Sequence, residues 1–354
     1  MTSPSPSSCS CPQAAAPGSR CCTDQNESSQ EIRATDSRIT GANRLDHVLA
    51  RCGVNRSGHT VTPGLYRLGN PGSGSPVFAS ANYTLSFDAL RSALAGADAY
   101  ILVLDTRGIN VWCAAGKGTF GTDELVRLIG ITGLAGIVGH RRIIVPQLGA
   151  PGVSWPDVLR RTGFVVEYGP VRSRDLPEYL RTHMATPAMR TVTFPLRDRA
   201  VLVPVELFHV LLPALVAAIV LWFLAGLAAA LAVGVAVIAG TVLFPILLPC
   251  IPTHDFSTKG FILGGIAAMP FAVLYGTDPH LPGWLAIVCA IVPLLIIPAV
   301  TAYLALNFTG STPFTSRTGV KKEIFRYVPV MALMAGTGVL LGILLGAGRL
   351  LGAI

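Results

Sequence analysis

The sequence predicts an α/β domain followed by an α-helical transmembrane domain of five spans. Three observations carry this. Short apolar runs alternate with helical patterns between residues 46 and 202, as in a sheet with crossover helices. From residue 203 long apolar stretches take over, and Glu206 is the only charged residue between Leu202 and Pro249. Hydrophobic residues make up 51% of the 354-residue chain and charged residues 13%, too apolar for an ordinary soluble protein.

Residues 1–45 are rich in Ser, Pro, Ala and Thr, lack periodicity and are expected to be a disordered leader. They contain no apolar signal region, which places the soluble part in the cytoplasm, where thiols stay reduced. Cys9, Cys11, Cys21 and Cys22 interrupt the leader. Paired thiolates suit a soft-metal trap, and an unstructured leader with incidental cysteines fits equally. Their spacing does not match an iron–sulfur run.

The α/β domain is assigned to residues 46–202. Residues 45–52 carry a short helical period. Residues 64–68 and 77–80 are expected to be strands separated by Gly and Pro. A helix over 87–94 has Ser86 as its expected N-cap. The continuous apolar run 99–104 reads as a buried central strand. A helix over 122–129 has Thr122 as its cap and Asp123 and Glu124 in its first turn, where the macrodipole favours them. Strands at 142–145 and 164–168 alternate with helices at 155–161 and 175–182. This order predicts a parallel sheet.

Five spans follow, at about 203–225, 227–249, 260–276, 282–306 and 327–348. Basic residues set their orientation. Arg181, Arg190, Arg197 and Arg199 precede the first span, Lys259 follows the second, and Arg317, Lys321, Lys322 and Arg326 precede the fifth. All of these fall on the side of the soluble domain, which the positive-inside rule makes cytoplasmic. The formal net charge of +8 is therefore read as basic loops beside an inner membrane, not as a nucleic-acid surface. Pro213, Pro245, Pro249, Pro252, Pro270, Pro293 and Pro298 lie in the spans or at their ends, as packing kinks or as part of a transport path.

The stretch Asn110-Val111-Trp112-Cys113-Ala114-Ala115-Gly116-Lys117-Gly118-Thr119-Phe120 follows the central strand. Open α/β sheets place their ligand sites beyond strand ends. Glycines 116, 118 and 121 keep side-chain bulk away, so that a large flat ligand can approach the backbone. A thiolate there is a soft, strongly donating ligand for a transition metal. From the residues alone, Cys113 equally suits a small packed group at a strand end. Trp112 either packs beside a ligand or anchors the loop, and Lys117 either serves the site or is solvated.

Asn-Val-Trp-Cys-Ala-Ala-Gly-Lys resembles the signature of the membrane corrinoid protein family of microbial mercury methylation. The large subunit of the acetyl-CoA-pathway corrinoid iron-sulfur protein has a related domain. Residues 64–71, 79–83 and 146–152 resemble further segments of that domain, and Asn307-Phe-Thr-Gly-Ser-Thr-Pro-Phe-Thr315 resembles both families. The resemblance implies a corrinoid-binding, Rossmann-like fold for the α/β domain. It implies Cys113 as the lower axial cobalt ligand, with Asn110, Val111, Trp112, Ala114, Ala115, Gly116 and Lys117, together with Asn82 and Tyr83, at the cofactor. It implies a methyltransferase that passes a carbanion-like methyl group from cobalt to Hg(II). A ferredoxin-like [4Fe-4S] protein would serve as reductant and a methylated pterin or folate as donor. A methyl carrier of the acetyl-CoA pathway, and a membrane transporter or receptor with a corrinoid-sensing domain, are the alternatives. Asp278-Pro-His280-Leu-Pro-Gly283 fits a His-ligated cobalamin pattern, but it falls between two spans and is read as coincidence.

Overall fold

A computed structural model describes residues 32–55, 58–312 and 317–352. Cys9, Cys11, Cys21 and Cys22 lie outside the described residues. In chain order the soluble part contains β1 (Arg33–Thr35), α1 (Gly41–Arg51), β2 (Gly64–Leu68), β3 (Val77–Ala81), α2 (Thr84–Ala93), β4 (Ala99–Leu104), α3 (Val111–Lys117), α4 (Thr122–Ile131), α5 (Leu134–Ile137), β5 (Arg142–Val145), α6 (Trp155–Thr162), β6 (Val165–Tyr168) and α7 (Leu176–Thr182). Two short helices, α8 (Pro187–Arg190) and α9 (Leu196–Ala200), lead to the apolar helices. These are α10 (Val203–Ala225), α11 (Leu227–Ile238) continued by α12 (Phe244–Leu247), α13 (Phe256–Gly276), α14 (Gly283–Asn307) and α15 (Arg317–Leu350).

The six strands form one sheet in the order β1-β2-β4-β3-β5-β6. It is mixed, which corrects the expectation of a parallel sheet. Strands β4, β3, β5 and β6 run parallel, whereas β2 is antiparallel to β4 and β1 is parallel to β2. The register β2–β4 pairs Gly64 with Val103 and Leu68 with Ala99. Both sheet faces are covered. Tyr100, Leu102 and Leu104 pack under α3, α4 and α6, and Ala99, Ile101 and Val103 under α2 and α7. That double burial is why residues 99–104 read as an unbroken apolar run.

Residues 32–45 are not part of a disordered leader. Arg33–Thr35 adds an edge strand to β2. Thr40 caps α1 in a reciprocal capping box with Asn43. Arg91 on α2 holds the segment between them, donating to the carbonyls of Asp36 and Arg38. A polar composition hides this order, because side-chain hydrogen bonds rather than apolar burial hold these residues. Two caps also differ from expectation. Helix α2 begins after Tyr83 rather than Ser86, and α4 after Gly121 rather than Thr122.

Five helices are long and apolar enough to cross a membrane: 196–225, 227–247, 256–276, 283–310 and 318–350. They mark a membrane protein, and they are longer at several ends than the spans read from sequence. Gly260 and Gly264 let α13 press on α14, since added Cβ atoms there would lie 2.5 Å from Ala302 Cα and 2.6 Å from Pro298 Cα. At one end of the bundle cations close the second span: Arg199 donates to the carbonyls of Pro245 and Ile246, and Lys259 to those of Leu248 and Ile251. At the same end Glu323 accepts from the Ser257 amide at 2.5 Å, and Tyr327 donates to Asp255 at 2.8 Å. Arg199 immediately precedes the first span, so this end faces the soluble domain.

Candidate functional site

A cleft of about 390 Å³ opens at the carboxyl ends of β3 and β5. The chain leaves β3 toward β4 on one side and later returns to β5 on the other, so this is the switch point of the sheet, where ligands bind in open α/β folds. Strands β3 and β5 share one register pair, Phe78–Ile144, whereas β3 and β4 share five. Phe78, Ser80 and Pro146 floor the cleft, Tyr83 and α2 form one wall, and Gly169 to Leu176 the other. Asn110, Val111 and Trp112 overhang it.

Helix α3 presents the motif. Asn110 is its N-cap, and the Asn110 carbonyl oxygen accepts from the Cys113 amide at 2.9 Å. Cys113 is half-buried and its thiol is free. It sits one turn in from Asn110, at the rim and not among the cleft-lining residues. Val111, Ala114 and Ala115 are buried against the sheet, so the small alanines let α3 lie close to it. Gly116, Lys117 and Gly118 are exposed. Gly118 closes the helix with φ +86° and open space where a Cβ would lie.

Of the two residues expected from the 79–83 segment, Tyr83 lines the cleft and Asn82 does not. Asn82 instead anchors the loop before α3. Its buried carbonyl oxygen accepts from the Thr106 amide (3.1 Å), the Thr106 hydroxyl (2.8 Å) and the Gly108 amide (3.0 Å). This holds Arg107 in the left-handed region at φ 57°, with the Asp105 carboxylate accepting from the Arg107 amide. The 146–152 segment also acts at one remove. A Cβ on Gly149 would lie 2.5 Å from the Phe120 ring, and one on Gly152 would lie 2.2 Å from the Phe120 carbonyl. These glycines press the segment against α3 and fix its tilt. Thr122, expected as a cap, latches this contact by accepting from the Ser154 amide at 2.9 Å.

Sequence reasoning missed a buried polar cluster behind the cleft wall. Asp88 and Arg91, on the back of α2, are almost fully buried and pair at 2.6 Å, and His47 meets Asp88 at 2.7 Å. The signal was present as an i, i+3 charge pair inside an otherwise apolar helix. Buried His59 bonds Asp46 at 2.6 Å and the Val54 carbonyl at 2.7 Å. Burial by itself lowers the His59 pKa, but the Val54 carbonyl and the Asp46 carboxylate outweigh it and raise it above the ordinary imidazole value. His280 lies exposed in the connection between α13 and α14, which separates it from the sheet.

Residues 54–179 match the family described as CO dehydrogenase/acetyl-CoA synthase delta subunit. Among curated relatives, the acetyl-CoA decarbonylase/synthase complex subunit gamma of Methanopyrus kandleri is 35% identical over 127 residues, 35% of this chain and 27% of the relative. The subunit gamma of Methanocaldococcus jannaschii is 32% identical over 130 residues, 36% of this chain and 26% of the relative. The chain thus spans about a quarter of the length of these relatives. The matches relate the soluble domain to the large subunit of the corrinoid iron-sulfur protein. The family match ends before the five apolar helices.

Proposed function

We propose that this protein is a membrane-anchored corrinoid methyl-transfer protein in which Cys113 is the lower ligand of cobalt. One observation carries the reading: the only motif cysteine stands half-buried at the rim of the switch-point cleft, on a helix whose exposed end is glycine-rich. The residues present fit the group. The cleft is an apolar trough at the sheet mouth, and Gly116 and Gly118 leave room for a broad flat ligand. Cys113 supplies a soft donor, and no cluster of three or more His, Cys, Asp or Glu competes for metal among the described residues.

When bound, the corrinoid supplies a cobalt able to accept and release a methyl group. Everything else falls to the chain. Asn110 fixes the first turn of α3 and so the direction of Cys113. Trp112 and Tyr83 give the cofactor apolar contact, and Lys117 lies exposed at the far end of α3. Asn82, Gly149 and Gly152 position α3 without touching the ligand.

The acceptor divides two readings. The eight-residue motif and the membrane helices outside the family match favour inorganic Hg(II), with methylmercury as product. The names of the relatives favour a methyl carrier in acetyl-CoA chemistry. Either reading uses a ferredoxin-like [4Fe-4S] reductant and a methylated pterin or folate donor. Five spans and the basic connections support an inner-membrane location with the soluble domain in the cytoplasm.

The test is a visible spectrum of the full chain loaded with cobalamin, for wild type and Cys113→Ala, beside methylmercury formation in cells. A thiolate–cobalt spectrum lost in Cys113→Ala, together with lost methylation, is expected. A spectrum unchanged by the substitution removes Cys113 from the metal. An intact thiolate spectrum without methylmercury directs the function to the acetyl-CoA reading.

A further inference from the structure

Helix α1 carries its amphipathic faces the reverse way to an ordinary surface helix. Its polar side faces the protein. The Asn43 side-chain oxygen accepts from Arg91 at 3.2 Å, Asp46 pairs with buried His59, and His47 pairs with buried Asp88. Its apolar side faces outward. Leu45, Val48 and Leu49 fall at i, i+3 and i+4 on one stripe, and Val54 follows just beyond the helix. Leu45 is 60% exposed, Val48 54% and Val54 44%. A helix on a water-facing surface shows the opposite arrangement. Arg44 and Arg51 are exposed beside the stripe.

A second observation locates this face. Gly53, just past the end of α1, lies against the first span, and a Cβ on it would sit 3.0 Å from His209 Cε1. Glu206 and His209 are the last ionisable residues before the unbroken apolar run 210–225. They mark the level at which the first span leaves water, so the end of α1 lies at that same level.

We propose that α1 is an interfacial helix that rests on the membrane beside the first span. Leu45, Val48, Leu49 and Val54 enter the boundary between headgroups and acyl chains, and Arg44 and Arg51 meet lipid phosphates. Lipid is the occupant because the face adjoins a surface that already meets the bilayer at His209. The contact gives the soluble domain a second attachment besides the chain itself. It also reaches the cleft. The His59 carbonyl accepts from the Thr84 amide, and Thr60 bridges to Tyr83 at the cleft wall.

The experiment places the photo-crosslinker p-benzoylphenylalanine at Leu45, at Val48 or at the exposed control Arg160, each in the full chain. Each variant is irradiated in native membranes and in vesicles of phosphatidylcholine and phosphatidylglycerol. Mass spectrometry is expected to find phospholipid adducts at positions 45 and 48 and none at 160. Three results overturn the proposal: a crosslinked dimer, an adduct with another protein at either test position, or no adduct at both. Because both positions are exposed, the substitutions spare the core, and unchanged melting temperatures confirm it. A Leu45→Glu/Val48→Glu variant adds a second readout. It should speed hydrogen exchange over 41–51 in vesicles but not in detergent; equal exchange in vesicles before and after substitution counts against lipid contact.

Discussion

The Asn82 side chain decides where the motif begins. One buried oxygen takes three donors from the loop that joins β4 to α3. Asn82→Ala leaves two buried amides unpaired, and the soluble domain should lose about 2–5 kcal/mol, read as a fall in melting temperature. Asn82→Asp keeps the acceptor and should recover much of that loss. His59 makes a second prediction, in pH. Its folded pKa is raised, so it contributes stability that is fully present below the ordinary imidazole value of about 6.5. That contribution disappears as pH rises through the folded pKa. Melting temperature should fall from mildly acidic to mildly alkaline buffer, and His59→Gln should flatten that slope. A slope unchanged in the variant would assign the pH dependence to another group.

Among the elements, α3 owes its position to residues outside it. Gly152→Ala pushes a methyl group into the Phe120 carbonyl and Ala115, and should cost about 1–3 kcal/mol. Because the displaced neighbour is α3, the Cys113–cobalt spectrum should shift as well. A variant of wild-type stability and spectrum would show the contact to be slack. These elements also show what the sequence made legible. Strand β4 was legible to the residue, because burial on both faces leaves an unbroken apolar run. Strands β2, β3 and β5 and helix α6 were legible from period and punctuation. Strand β1 and the start of α1 were not, since Arg91 and a capping box hold them and neither leaves a periodic trace. The antiparallel β2 was hidden too, because strand direction is set by tertiary pairing. At the site, the motif pointed to α3 and to Tyr83. It missed Asn82 as a support, because an Asn at a ligand and an Asn at a loop look alike in sequence.

Across the whole molecule, the polar ends of four helices gather on the side of the soluble domain, through Arg199, Lys259, Glu323 and Tyr327. With five spans, the far end of α15 then lies on the opposite side of the membrane. Alkaline phosphatase joined after Ile354 should be active and a cytoplasmic fluorescent reporter there dark, whereas phosphatase inserted in the basic connection before α15 should be inactive. The reverse pattern would mean an inverted molecule, with its cleft outside the cell.

The single register pair between β3 and β5 has a mechanical result. It divides the sheet into two plates that meet on one narrow hinge, and the plate bearing β5 and β6 runs through α7, α8 and α9 straight into the first span. A guest wedged in the mouth supplies the brace that the backbone omits. Torque on that plate is then borne by the bilayer, so loading the mouth and straining the anchor are one act.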